Sequence, residues 1–158
     1  MAQRVLLDNT VLSNFALVER TELVMDLWPD ACTTPAVKAE YAAGSEVRDL
    51  PSDVWEGLKV LTLTPREKAF AAHLHQRLGA GERSCIAVAH HRSGLFVSDD
   101  YDARREAHAL QIPTTGTIGI LLLNVQQGRI TAADGNRILS QLIQFGFRSP
   151  VSRLDEFL

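Results

Sequence analysis

Short apolar segments and amphipathic segments alternate along most of the chain. Apolar or β-branched runs at residues 4–8, 31–34, 59–64 and 95–98 predict four strands, and residues 111–115 predict a short fifth extended segment. Between these runs, apolar residues recur at the spacing of about 3.6 residues that is typical of helices. The alternation predicts an α/β fold, a three-layer α/β/α sandwich with a mostly parallel central sheet.

Proline, threonine and glycine indicate where the predicted helices begin and end. Apolar periodicity over residues 11–27 predicts one or two helices, broken near residue 20. Thr34 followed by Pro35, and Pro65, are typical helix starts, and we expect the helix from Pro65 to reach Leu78. Further helices are predicted at residues 82–92, 102–110, 117–127 and 131–147. We expect a domain over residues 1–148 and a peripheral C-terminal tail at 149–158.

Carboxylates follow two predicted strands and lie on the inward faces of two predicted helices. Asp8 ends the first strand, and Asp99 and Asp100 end the strand at residues 95–98. At about 100° per residue, Glu40 and Glu82 fall within the apolar stripes of their helices. The carboxyl ends of parallel strands share one edge of a sheet, so we expect these five acids to converge there.

Five carboxylates in one partly buried pocket would repel each other strongly. Taken singly, each has an ordinary structural explanation: Asp8 and Asp99 suit helix caps, Glu82 suits a first helical turn, and Glu40 could pair with an arginine. Taken together, they favour a site for Mg²⁺ or Mn²⁺, which accept carboxylate oxygens, keep several waters and bind phosphate. Such an ion can activate water for attack at phosphorus.

Composition and charge limit the class of protein, its location and the ways in which it could bind nucleic acid. The chain has 158 residues, 46% hydrophobic and 22% charged, which suits one globular domain. No apolar run approaches the roughly 20 residues that cross a bilayer, and the first run meets Asp8 too early for a signal peptide, so we expect a cytoplasmic protein. Cys32 and Cys85 lack zinc-site spacing and are expected to be reduced core thiols. A net charge of -3 means that any nucleic acid must be held by local basic residues or metal ions.

Five segments in a fixed order carry a resemblance to a known family. They are VLLDNTVLSNF, TPAVKAEY, GERSCIAVA, FVSDDYDARREAHAL and TTGTIGILL. This order resembles a PIN domain over about residues 4–148, in particular the branch with a Gly-Glu helix start and a paired Asp-Asp. The resemblance implies a nuclease dependent on Mg²⁺ or Mn²⁺, acting mostly on RNA and often serving as the toxin of a toxin–antitoxin pair. It also implies catalytic and metal-binding roles for Asp8, Glu40, Glu82 and Asp100, with Asp99 as a further catalytic candidate.

Other positions refine or depart from this resemblance. The Arg104 guanidinium suits a phosphate or a carboxylate, and we predict that Arg104 and Thr117 contact substrate. The ordinary alternative for Arg104 is a position on a solvated helix face, and that for Thr117 is a role as a turn or cap residue. Asn9 stands where the family usually has a small residue, serine or threonine. Glu82 lies about one residue earlier than the aspartate of the commoner form. The lysine usual near Asn124 is missing.

The sequence is compatible with three functions. The first is a metal-dependent endoribonuclease, a toxin held by a small antitoxin and forming a homodimer. The second is a non-catalytic nucleic-acid-binding or regulatory module on the same fold. The third is a phosphohydrolase with Asp8 as nucleophile, although such enzymes commonly have a second aspartate where this chain has Thr10.

Overall fold

The computed structural model describes residues 3–51 and 53–158. The strands in this part of the chain are β1 (Val5–Leu7), β2 (Cys32–Thr33), β3 (Lys59–Val60), β4 (Leu95–Val97) and β5 (Thr114–Thr115). They form one parallel sheet in the order β3-β2-β1-β4-β5. The predicted parallel sheet is confirmed.

Helices join the strands and follow the last of them. They are α1 (Asn9–Leu17), α2 (Glu22–Met25), α3 (Pro35–Arg48), α4 (Pro65–His73), α5 (Ala80–His91), α6 (Tyr101–Ala109), α7 (Thr117–Gln126) and α8 (Ala132–Gln144), with a 3₁₀ turn at Leu154–Phe157. From β1 the chain moves outward through β2 and β3, then returns to β4 and β5 on the other side of β1. Because crossovers between parallel strands are right-handed as a rule, connections that run in opposite directions from β1 place helices on both faces of the sheet, in agreement with the predicted three-layer fold.

The strand order reverses between β1 and β4, which are neighbours at the centre of the sheet. Leu6 pairs with Phe96 and Leu7 with Val97, and all four side chains are fully buried. Crevices in open α/β sheets form where the order reverses, beyond the carboxyl ends of the strands. Residue 8 and residues 98–100 therefore emerge side by side at this switch point.

Some predicted boundaries are wrong for tertiary reasons. The helix from Pro65 ends at His73 rather than Leu78, because Leu74 takes an extended backbone and turns into the core together with Leu78. The strand predicted at residues 59–64 pairs only at 59–60. The C-terminal tail is not peripheral at Leu154, which is fully buried and donates its N–H to Asn136 Oδ1.

Within the described residues, no helix has the length and apolar character needed to cross a membrane.

An ion pair fixes the end of α5 to the start of α4. Glu67, 1% exposed, accepts from Arg92 Nε at 2.8 Å and from Arg92 Nη2 at 2.7 Å. It also accepts from the N–H of Thr64, whose hydroxyl caps α4. These bonds, led by that from Arg92, lower the pKa of Glu67 to about 2. The pair holds α5 in place, and α5 carries the candidate acid Glu82.

We expect Glu67→Ala to lower the free energy of unfolding by about 3 kcal/mol at pH 7, because Arg92 loses its buried counter-charge. Because the folded pKa lies below the ordinary value of 4.5, this contribution should be present above pH 4.5 and fade as the pH falls towards about 2. Urea unfolding of wild type and variant across that range measures it. Asp30→Ala, which removes the exposed pair with Lys59, is the matched control and should cost less than about 1 kcal/mol. Equal losses in the two variants would contradict this view.

Candidate active site

Asp8 lies at the start of α1 and is 1% exposed. One carboxylate oxygen accepts from the N–H of Asn9 at 2.8 Å, and the other accepts from the Ser98 hydroxyl at 2.7 Å. Ser98 in turn accepts from the N–H of Asp100 at 3.1 Å, so one hydroxyl ties together the ends of β1 and β4. Burial raises the pKa of Asp8 to about 6, and the negative charges of Glu40 and Asp100 add to this rise.

Glu40 extends from α3 to the first turn of α5. Its Oε1 accepts from the N–H of Gly81 at 2.8 Å. A Cβ at position 81 would lie 2.7 Å from Glu40 Oε2, so only glycine lets the carboxylate come this close. The two helices are also joined at the Thr34 hydroxyl, which caps α3 and lies 2.6 Å from the Ser84 hydroxyl. Glu40 is half-buried at the rim of the crevice, as its predicted place on the inward face requires.

Glu82 is half-buried in the first turn of α5, where its Oε2 accepts from the N–H of Gly79 at 3.2 Å. Burial is the main cause that raises the pKa of Glu82 to about 7. The charges of Asp8, Asp100 and Glu40 all contribute to the same rise. The charges of Asp8, Asp100 and Glu40 thus act on Glu82, and these four acids, called the acidic quartet below, come from four separate segments of the sequence.

Asp99 and Asp100 are neighbours in sequence but face different partners. Asp100 caps α6, where its Oδ1 accepts from the N–H of Ala103 at 2.8 Å. Asp99 instead accepts from the N–H of Thr117 at 2.8 Å, from the Thr117 hydroxyl at 2.5 Å and from the Asn14 amide at 3.1 Å. Asp99 thereby joins the start of α7 to α1, which is a structural role beside the quartet.

The two predicted substrate contacts differ in exposure. Thr117 is fully buried and its hydroxyl is turned to Asp99, so it holds that acid and offers no surface to a ligand. Arg104 is half-buried, and its Nη1 donates to the carbonyl of Ser98 at 3.4 Å. It lines two depressions beside Asp99 and can reach a ligand there.

Sequence reasoning missed several residues that surround the acids. One groove is lined by Arg48, Asp100, Phe145 and Arg148, among others. Arg148 also lines the depressions beside Arg104. The only sequence signal for Arg148 was Gly146 after the last helix, which indicates a helix end but not where the chain goes next.

The carboxylate oxygens are ligands of the kind that a hard divalent cation prefers. Within residues 3–51 and 53–158, no three His, Cys, Asp or Glu side chains are grouped as a metal site. Oxygens of Asp8, Glu40 and Glu82 accept from backbone N–H groups, and Asp8 also accepts from the Ser98 hydroxyl. Asp8, Glu40, Glu82 and Asp100 nevertheless form an all-oxygen, negatively charged donor set, of the kind that fits Mg²⁺ or Mn²⁺. The four residues therefore stay the predicted ligands.

A family model matches nearly the whole chain. The model of a family described as DUF3368: PIN domain matches residues 4–158. No curated protein matches the chain. The matched range includes the whole sheet, the acidic quartet and the buried Leu154 near the C-terminus.

Without divalent cations, we expect the protein to lose stability as the pH rises from about 5 to 8. Asp8 and Glu82 have folded pKa values of about 6 and about 7, above their ordinary values, so the folded state holds protons that the unfolded state releases. Their protonation favours folding at low pH, and this advantage disappears as the pH rises through these values. Urea midpoints measured in EDTA at several pH values test this.

Glu82→Gln is the informative variant, since glutamine keeps an acceptor for Gly79 and never carries charge. Its midpoint should fall less than that of wild type between pH 5 and 8. Added Mg²⁺ at pH 8 should stabilise wild type more than Glu82→Gln. The same pH slope in both proteins, with no difference in response to Mg²⁺, would show that the acids do not interact.

Proposed function

Because the chain belongs to the PIN domain family, we propose that it is an endoribonuclease that depends on Mg²⁺ or Mn²⁺ and hydrolyses RNA phosphodiester bonds. One set of contacts supports this most strongly: the Ser98 hydroxyl donates to Asp8 and accepts from the N–H of Asp100, while Glu40 accepts from the N–H of Gly81, next to Glu82. These contacts, and the charges of Asp8, Asp100 and Glu40 that act on Glu82 in addition to its burial, support a shared acidic site at the switch point where α/β folds place their ligands.

The protein's own groups orient the acids before any substrate arrives. Backbone N–H groups at the start of α5 hold Glu40 and Glu82, and Ser98 holds Asp8 and the backbone of Asp100. A divalent cation bound by the quartet would supply the positive charge that activates water and offsets the charge of the scissile phosphate. Arg104, at the edge of the same crevice, is placed to hold an adjacent phosphate.

We further propose, from the family resemblance, a cytoplasmic toxin that forms a homodimer and is held inactive by a small antitoxin. Exposed apolar side chains support a protein partner. Phe145 is 55% exposed and lines the groove beside Asp100, and Phe157 and Leu158 are also exposed. A partner that covers Phe145 would also close the approach to the acids.

Asp8→Asn and Asp100→Asn should each reduce RNA cleavage by about 100-fold or more, the scale for removing one electrostatic contributor from an active site. Asparagine keeps the oxygen that caps α1 or α6, so circular dichroism and urea midpoints should show folded proteins. Asp102→Asn is the matched control, because Asp102 is exposed on α6 just past the quartet. It should cleave at the wild-type rate, and EDTA should stop cleavage by wild type until Mg²⁺ is restored.

Folded Asp8→Asn and Asp100→Asn proteins that cut RNA as fast as wild type would refute the proposed reaction. RNA binding by wild type without turnover dependent on metal would instead identify a non-catalytic binding module.

A further inference from the structure

The helix that begins at the acidic quartet presents an aromatic and basic face to solvent. Its members recur at positions i, i+3, i+4 and i+7, which share one side of a helix: Tyr101, Arg104, Arg105 and His108. The opposite side packs inward through Ala103 and Ala107, both fully buried. Tyr101 is 72% exposed, although it directly follows Asp100. The packing of α6 therefore does not explain why an aromatic residue stands at position 101.

The Tyr101 ring has the surroundings of a stacking platform. The Arg105 guanidinium lies 5.8 Å from the ring centroid, a cation–π contact that favours one orientation of an otherwise exposed ring. Bases in a single strand can stack on such a ring, whereas bases in a duplex already stack on each other. An exposed ring beside a cation thus suits single-stranded nucleic acid better than a duplex.

A third arginine reaches this face from the C-terminal end of the chain. After α8, Gly146 takes a left-handed backbone with φ of +104°, and the N–H of Phe147 donates to the carbonyl of Leu142 at 2.9 Å. This turn ends the helix and directs the chain back towards the sheet edge. Arg148 then lines one depression with Tyr101 and Arg104, and a second one with Asp100.

The positive charge of this face would help the protein to bind a polyanionic substrate. The chain carries a net charge of -3, and the acidic quartet itself repels phosphate. Local cations must therefore hold the strand beside the acids. Arg104, Arg105 and Arg148 lie in one depression that adjoins Asp99, at the edge of the quartet.

We infer that this face binds single-stranded RNA next to the cleavage site. The surface, called the α6 shelf, consists of Tyr101, Arg104, Arg105, His108 and Arg148. One base stacks on Tyr101, and the arginines contact backbone phosphates. The inference rests on the proposed ribonuclease function and adds the surface that holds the strand, with Tyr101 as a base-stacking residue outside the acidic quartet. An acidic protein segment would match the arginines equally well, but it would make no use of the stacking ring.

Binding without cleavage tests the shelf directly. Fluorescence anisotropy in EDTA would compare a labelled single-stranded RNA of about 12 nucleotides, within the usual site size, with its blunt duplex. Wild type should prefer the single strand. Tyr101→Ala should weaken single-strand binding by about 5- to 100-fold, the range for losing one stacking ring, and Tyr101→Phe should keep it.

The contribution of the arginines can be distinguished from that of Tyr101 by the salt dependence of binding. Arg104→Ala and Arg148→Ala should each weaken binding and lower the slope of log K against log salt by about 1, as expected when one phosphate contact is lost. The control is Arg129→Ala, an exposed arginine beyond the far end of α7, which should bind as wild type does.

Three results would overturn the inference: equal affinity for single strand and duplex, unchanged binding by Tyr101→Ala, or loss in the variants of binding to a glutamate-rich peptide but not to RNA. The last result would assign the shelf to a protein partner. Because these measurements need no turnover, they are independent of the cleavage assay. Normal shelf binding by a protein that never cleaves RNA would refute the nuclease proposal and leave the shelf in place.

Discussion

Burial of carboxylates near one another, with the repulsion that adds to its cost, is the main constraint on the edge of the sheet where β1 and β4 end. Burial and mutual charge raise the pKa of Asp8 to about 6 and that of Glu82 to about 7. The fold offsets part of this repulsion with the N-terminal ends of three helices. Asp8 caps α1, Glu82 lies in the first turn of α5, and Asp100 caps α6, so each acid meets the positive end of a helix dipole. What remains of the negative charge favours a divalent cation and gives the site its proposed chemistry.

The surrounding structure separates acids that the sequence places together. Asp100 belongs to the quartet, whereas the oxygens of Asp99 are taken by Thr117 and Asn14. The paired aspartates therefore combine two tasks at one strand end. One contributes charge to the crevice and caps α6, and the other ties the start of α7 to α1. This division explains how two adjacent like charges are tolerated, since their side chains diverge towards different partners.

Apolar periodicity and capping residues in the sequence predicted the strand ends and helix starts, which depend on local structure. The strand ends at Asp8 and Asp100 followed from apolar runs in a parallel sheet, and the helix at Pro35 from its cap. The contact of Glu40 with Gly81 depends on how α3 packs against α5, which no periodicity reveals. Burial of Leu74 overrode the helical pattern after Pro65, and the return of Arg148 depends on a turn after α8. Asn124, where the family usually has a lysine nearby, is buried and donates to the carbonyls of Leu23 and Ile120, so this position supports the core.

We propose that Asp8, Glu40, Glu82 and Asp100 are ligands for divalent metal. Anomalous diffraction from a crystal soaked in Mn²⁺ tests this claim most directly, because it locates the ion without assuming any activity. The account predicts an anomalous peak within coordination distance of carboxylate oxygens from at least two of the four acids, and its loss in a crystal of Asp8→Asn. A fully soaked crystal with no peak in this crevice, or with manganese bound only at other sites, would contradict it.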